Sequence, residues 1–257
     1  MNLRHLAVAT SLFLAAHARA GDLPTFAGPA MGTTYRVTLS GGVPGLDGGE
    51  IHREIEAVLA RLDRALSTWR DDSDASRFNR AAVGEWVDVS PDLLTIVSIA
   101  RRVHDDTGGA FDITAGDGRV GSMRSVVVRA SPPAIRKTAA GLRLDLGGIG
   151  PGYAVDRIGE RLRELGSQSH LVELGGEVRA WGEPTAGVAW RVAVRGTGEV
   201  VELPAGEALA TSTARPGFSP IDPRTGRVAA PAVRVATVRA ATCAEADARA
   251  VAALIKH

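Results

Sequence analysis

Lysine is almost missing from this chain. Only Lys137 and Lys256 occur, so 28 of its 30 basic residues are arginines. Such a skew could serve phosphate recognition, but a GC-rich coding bias explains it more simply. The arginines are scattered and the net charge is only +1, which argues against a nucleic-acid partner. Aromatic residues are scarce, at 4% of the chain, which leaves aliphatic side chains to build the core. The single cysteine, Cys243, has no intrachain partner, so an internal disulfide is excluded. The six histidines show no metal-ligand spacing, which argues against zinc chemistry. No Gly-x-Ser-x-Gly elbow occurs, and Cys243 lies in no nucleophile-like context.

At 257 residues, with 45% hydrophobic and 23% charged residues, the chain has the length and balance of a globular protein. Its first twenty residues stand apart. Arg4 and His5 precede an apolar run from Leu6 to Ala16, and Ala18-Arg-Ala20 offers a small-residue cleavage site before Gly21. Residues 1–20 therefore read as a secretory signal peptide, too short for a membrane span. No arginine pair precedes the run and no cysteine follows it, so export of an unfolded chain without a lipid anchor is expected. Residues 21–257 are expected to form one exported, soluble, periplasmic domain.

Apolar residues alternate in Tyr35–Leu39 and in Leu142–Leu146, the pattern of strands. Leu171–Leu174, Val188–Val194, Ala208–Thr211 and Val233–Val238 are further strand candidates. Helical spacing of Ile51, Ile55, Val58, Leu59, Leu62 and Leu66 predicts an amphipathic helix. Ser90-Pro91 marks the start of another, running to about Asp106. A third follows the glycine segment to about Leu165, and a fourth spans Ala244–Ile255. Ser67–Asn79 reads as an ordered loop, and the pattern weakens from Thr114 to Ala140 apart from Val126–Val128. Strands and helices mix without a regular alternation, which predicts an α+β fold with mixed or antiparallel sheets and packed helices.

The richest chemical signal is Asp145-Leu-Gly-Gly-Ile-Gly-Pro-Gly-Tyr-Ala-Val-Asp156. Strand, glycine cluster and helix in succession suit a phosphate, because glycine lets the backbone approach an anion and the first helical amides point at it. A tight turn without any ligand accounts for the same residues. The segment has neither the lysine of a P-loop nor the dinucleotide fingerprint. Gly108–Gly116 places Phe111 and Asp112 between glycines, either as a pocket wall or as a turn with one core aromatic. Glu173-Leu-Gly-Gly-Glu177 sets two carboxylates around a glycine pair, suited to ribose or adenine contacts or simply to a solvated hairpin. Ile221–Gly226 is ordinary turn chemistry. Asp247 opens the last helix, where a carboxylate either complements the helix dipole or ligates Mg²⁺.

In their order along the chain these segments resemble the FAD:protein FMN transferases, the ApbE-like proteins. The resemblance starts with Gly28–Tyr35, Leu66–Asn79 and Gly109–Asp112, and continues through the glycine segment. It then takes in Leu174–Glu177, Ala210–Ser212, Ile221–Gly226 and Glu245–Ala248, so it covers the whole expected mature chain. It implies the ApbE-like flavin transferase fold and an activity: moving the FMN moiety of FAD onto a Thr or Ser hydroxyl of a partner flavoprotein, with Mg²⁺, releasing AMP. By resemblance, Met31, Trp69, Ala110, Phe111, Asp112, Gly147, Tyr153, Glu177 and Ile221 border FAD. Trp69 stands where the family has a stacking tyrosine. Asp247 and the backbone carbonyl of Gly150 hold the metal.

Three positions depart from the family pattern. Val251 replaces a metal-ligating threonine, Ser219 a histidine that serves as proton acceptor, and Pro151 a lysine. The stretch from Gly116 to Arg143 is also short. These departures motivate a second expectation: a non-catalytic FAD- or FMN-binding or assembly protein for a redox complex.

Overall fold

The computed structural model describes residues 23–116, 119–214, 220–229 and 234–256. The expected signal peptide and Ser219 lie outside the described residues.

The chain opens with the hairpin β1 (Thr25–Ala30) and β2 (Thr33–Leu39), followed by α1 (Gly48–Leu66). Asp47 and Glu50 form a reciprocal capping box on α1: each side chain accepts the other's amide at 2.8 Å. The predicted apolar stripe of α1 is buried, from Ile51 to Leu66. Next come α2 (Asp74–Arg80), β3 (Val87–Asp88) and α3 (Pro91–Asp106). Ser90 caps α3 by accepting the Leu93 amide at 3.3 Å, with Pro91 in the first turn as expected. A short 3₁₀ turn at Met123–Ser125 leads to β4 (Val126–Arg129) and β5 (Ala134–Lys137). Then follow α4 (Gly150–Glu164), β6 (His170–Leu174) and β7 (Glu177–Trp181). The chain continues through β8 (Trp190–Ala193), β9 (Val200–Leu203) and β10 (Ala208–Thr213). It ends with β11 (Ile221–Asp222), β12 (Arg227–Val228), β13 (Val235–Ala240) and α5 (Cys243–Lys256).

A six-stranded antiparallel sheet, ordered β1-β2-β6-β7-β10-β13, forms the centre. Val37, Val172, Leu174, Trp181 and Ala210 point from it into the main core, shared with the helices. Val178, Ala180 and Leu209 point the other way, under Trp190, Val192 and Leu203 of the β8–β9 hairpin. Period-two alternation thus sends neighbouring residues to opposite faces. A smaller sheet, β3-β5-β4, adjoins the helices. The α+β expectation holds.

Some expectations of detail fail. Leu142–Leu146 is not a strand. Leu142, Leu144 and Leu146 are buried in alternation, but the backbone partner is a side chain. Asn79 Nδ2 donates to Leu144 O at 3.1 Å and Asn79 Oδ1 accepts the Leu144 amide at 2.6 Å. Ser67–Asn79 is not a loop throughout, because α2 begins once Ser73 caps it by accepting the Ser76 amide at 3.0 Å. The weak stretch Thr114–Ala140 contains β5 as well as the anticipated apolar triplet.

Candidate functional site

The glycine segment brings the first turns of α4 and α5 into contact. A Cβ on Gly152 would lie 2.4 Å from Cys243 O and 2.9 Å from Asp247 Cβ, so only glycine permits this crossing. The Gly152 amide donates to Asp247 Oδ2 at 3.2 Å, the one hydrogen bond of that carboxylate among the described residues. Few other amides remain free in the first turn of α4: Pro151 has none, and that of Gly150 donates to Leu146 O at 2.7 Å. Of the two readings the sequence left open, a phosphate cradle or a tight turn, the structure fills the helix N-terminus with the Asp247 side chain.

Asp247 is buried in a negative neighbourhood. Burial, and then the Glu177 carboxylate, push its acid well above the usual carboxylate range, against the Gly152 amide. Asp156, also buried, sets the start of α5 from inside α4. Its Oδ1 accepts the Cys243 amide and its Oδ2 the Ala244 amide, both at 2.9 Å, and Arg179 donates to Oδ1 at 2.6 Å. Thr242 completes the cap by accepting the Glu245 amide at 3.3 Å. Burial and the surrounding carboxylates keep the Cys243 thiol protonated, consistent with an inert core cysteine.

One turn beyond Asp247, Val251 packs where an oxygen is expected by resemblance. A Cβ on Gly148 would meet Val251 Cγ2 at 2.9 Å and Phe111 Cε2 at 3.5 Å. Phe111, Gly148 and Val251 thus share one apolar contact, with Ala110 buried behind. Asp112 is the hub of the adjoining loop. Its Oδ1 accepts the Thr114 amide and hydroxyl at 2.8 and 2.6 Å, and its Oδ2 the Met123 amide at 3.1 Å. His104 Nδ1 lies 3.3 Å from the same Oδ2 and 3.0 Å from Phe111 O.

On the other flank, Glu177 and Glu173 leave the sheet on opposite faces. Glu177 is opposite Leu174 on the core face, and Glu173 is opposite Arg36 and Val178. Burial raises both acids to about 7, opposed by Arg195, and at Glu173 first by Arg36. They are half-buried, which replaces the expectation of a solvated hairpin. A Cβ on Gly175 would lie 3.1 Å from Glu177 Oε2 and 3.0 Å from Thr33 Cγ2, so the β1–β2 turn abuts this hairpin. At that turn Met31 has φ 48, the one non-glycine residue with positive φ among the described residues. With Gly32 at φ 76 it forms the two-residue hairpin turn that requires positive φ at both positions.

The remaining expected residues are spread around this centre. Gly147 is exposed at the mouth of the glycine segment and donates to Asp145 Oδ1 at 2.9 Å. Gly150 is buried in the first turn of α4. Tyr153 is buried, and its hydroxyl donates to Asp92 Oδ1 at 2.9 Å, a bond that fixes α4 on α3. Ile221 is half-buried beside a turn that reaches the Asp112 loop, where the Gly121 amide donates to Pro223 O at 2.6 Å. Trp69 stands 96% exposed beyond α1. Sequence reasoning missed Asp156, Asn79 and Asp92 as organising residues. Asp156 and Asn79 each close a segment that carries the family resemblance, whereas Asp92 gave no signal.

The whole arrangement has close counterparts. The sequence matches the ApbE family over residues 31–120 and 117–257. It is 30% identical over 282 residues to the FAD:protein FMN transferase of Vibrio cholerae serotype O1, covering 94% of this chain and 84% of that protein. The apo crystal structure of the Pseudomonas stutzeri flavinyl transferase ApbE superposes with a TM-score of 0.80 at 30% identity, over 90% of this chain and 83% of that one. The flavin transferase ApbE from Vibrio cholerae gives 0.78 at 30% identity, over 89% and 85%. With a family match that runs through all the elements around Asp247, this chain belongs to the ApbE family.

Proposed function

We propose that this chain transfers the FMN moiety of FAD to a Thr or Ser hydroxyl of a partner flavoprotein, in the periplasm. The hydroxyl oxygen bonds to the phosphorus of the FMN half, the bridging P–O bond of the pyrophosphate breaks, and AMP leaves. The hydroxyl proton passes to solvent or to a base. The observation that carries the reading is the buried Asp247 carboxylate beside Gly152 in a chain of this family.

The donor set suits Mg²⁺, which takes hard oxygens and commonly uses one or two carboxylates with substrate phosphates. Asp247 and the Gly150 carbonyl would hold it. When bound, the ion offsets negative charge that develops on the pyrophosphate. Phe111 and Gly148 would wall the flavin nucleotide. Gly147 lets its backbone approach, and Met31, Trp69, Ala110, Asp112, Tyr153, Glu177 and Ile221 border or support the pocket.

The test uses purified protein, FAD, Mg²⁺ and a candidate flavoprotein acceptor. In-gel flavin fluorescence and intact mass report covalent FMN, and Asp247→Ala is expected to reduce labelling at least 100-fold, as loss of a metal ligand should. No labelling of an acceptor that an ordinary family member modifies sinks the transferase reading.

The Val251–Gly148–Phe111 contact favours one alternative, a flavin-binding protein without catalysis, because valine brings no ligand oxygen there. Tight FAD binding without AMP release would select it.

A further inference from the structure

The β4–β5 hairpin and the residues flanking it form a basic stretch. Between positions 119 and 143 lie six of the 30 basic residues and none of the 29 acidic ones. Lys137 is buried, its ammonium donating to Asn79 O and Leu142 O at 3.0 Å each. The arginines are not buried. Arg129 and Arg136 stack on Trp86, 4.9 and 4.7 Å from the ring centroid, and Arg129 is also paired with Asp88 of β3 at 3.3 Å, so Arg124 and Arg136 carry most of the charge free for a partner. Arg124 is exposed at the start of β4.

β4 is also an outer strand, so one edge of its backbone has no strand beside it, although Arg101 donates to Val126 O and the Val126 amide donates to Met123 O at its start. Along it lies a cavity of about 470 Å³. Buried Met123 and Val126 form its floor, Arg101 and Arg124 flank it, and His104 and Asp105 close one end. This groove adjoins the candidate site, since Met123 is the residue whose amide donates to Asp112.

A transferase must receive a protein hydroxyl near that loop, and the residues around the hydroxyl need a surface to lie on. We propose that the β4 edge and its arginines dock an extended acidic segment that flanks the acceptor Thr or Ser; this rests on the transferase reading above. Charge complementarity selects carboxylates. The open strand edge and apolar floor select an extended peptide over a flat anionic surface.

The experiment measures fluorescence anisotropy with two labelled peptides, a threonine flanked by Asp and Glu and its Asn/Gln counterpart. The acidic peptide should bind at least tenfold more tightly, and its advantage should shrink as salt rises. Arg124→Glu with Arg136→Glu should abolish the preference while FAD titration is unchanged. If the double variant melts lower, the exposed single variant Arg124→Glu carries the test. Equal binding of the peptides, no binding of the acidic one, or an undiminished preference in the variant overturns the proposal. So does binding to phosphatidylglycerol vesicles that the variant loses when no peptide preference exists, an outcome that assigns the patch to lipid. Flavin labelling separates the two readings: an acidic peptide that binds but is never labelled upholds the docking surface and counts against transfer.

Discussion

Asp156 caps a helix to which it does not belong. A conventional cap precedes its helix in sequence, whereas this carboxylate reaches from α4 to the first two amides of α5 and holds Arg179 as well. Asp156→Ala would leave both amides without their acceptor and Arg179 without its partner. A loss of about 3 kcal/mol is expected, measured by denaturant unfolding, with Asp156→Asn recovering part of it. A second prediction concerns Glu173, whose acid is raised to about 7 chiefly by burial. Its folded-state pKa lies above the ordinary glutamate value of 4.5, so the folded state keeps its proton longer than the unfolded state. Its contribution to stability is therefore present below about pH 4.5 and lost as pH rises toward 7. Unfolding free energies measured across that window should fall less steeply in Glu173→Gln than in the parent chain. An equal slope in both proteins would mean that Glu173 ionises normally.

Between elements, the crossing of α4 and α5 is set by what Gly152 leaves out. Gly152→Ala forces its methyl against the Cys243 carbonyl, which is backbone and cannot rotate aside. A cost of roughly 1–3 kcal/mol is expected from overpacking. Because Asp247 lies in the same contact, the FAD binding proposed above, read by calorimetry in the presence of Mg²⁺, should weaken as well. Elements of this kind were legible where the chain supplies its own partner. Ser90 with Pro91, the stripe of α1 and the apolar spacing of α5 each announce a helix from within. Leu142–Leu146 was misread because burial alternates there as in a strand, while the hydrogen-bonding partner is Asn79, 65 residues away. The short strands β11 and β12 carry two residues each, too few for a periodic pattern. At the site, the glycine segment and Asp247 were legible as candidates. The direct contact between them was not, nor was the trans cap by Asp156, because both depend on how two helices cross.

Taken as one molecule, the chain surrounds its candidate site with elements from both ends of the sequence: the β1–β2 turn, the Asp112 loop, the glycine segment and α5. No helix among the described residues is long and apolar enough to cross a membrane. A ligand seated among elements so far apart in sequence should stabilise the folded state globally. FAD with Mg²⁺ at about 100 times the dissociation constant should add roughly 2.7 kcal/mol. That corresponds to a rise in melting temperature of about 5–10 °C, measured by calorimetry. FAD without Mg²⁺ should give a much smaller rise, since Asp247 would then face the pyrophosphate unshielded. Equal shifts with and without the ion would remove the metal from the binding reaction.

The amide of Asn79 acts as a splice between two parts of the chain that share no ladder. It offers Leu144 one donor and one acceptor, the same pair that a neighbouring strand would offer, but at a single point. Lys137 anchors the same stretch at Leu142, and the Asp145 amide donates to Ile113 O at 2.7 Å. The glycine segment is therefore suspended from the bonded pair Asn79 and Lys137 and from Ile113 instead of woven into a sheet. Its phase along the chain is fixed: sliding by one residue would turn Leu144 outward and present Asn79 with the wrong amide. A strand edge tolerates exchange of its neighbours, whereas this splice recognises one residue, so the glycine turn proposed to meet the ligand is indexed to α2 by the fold itself.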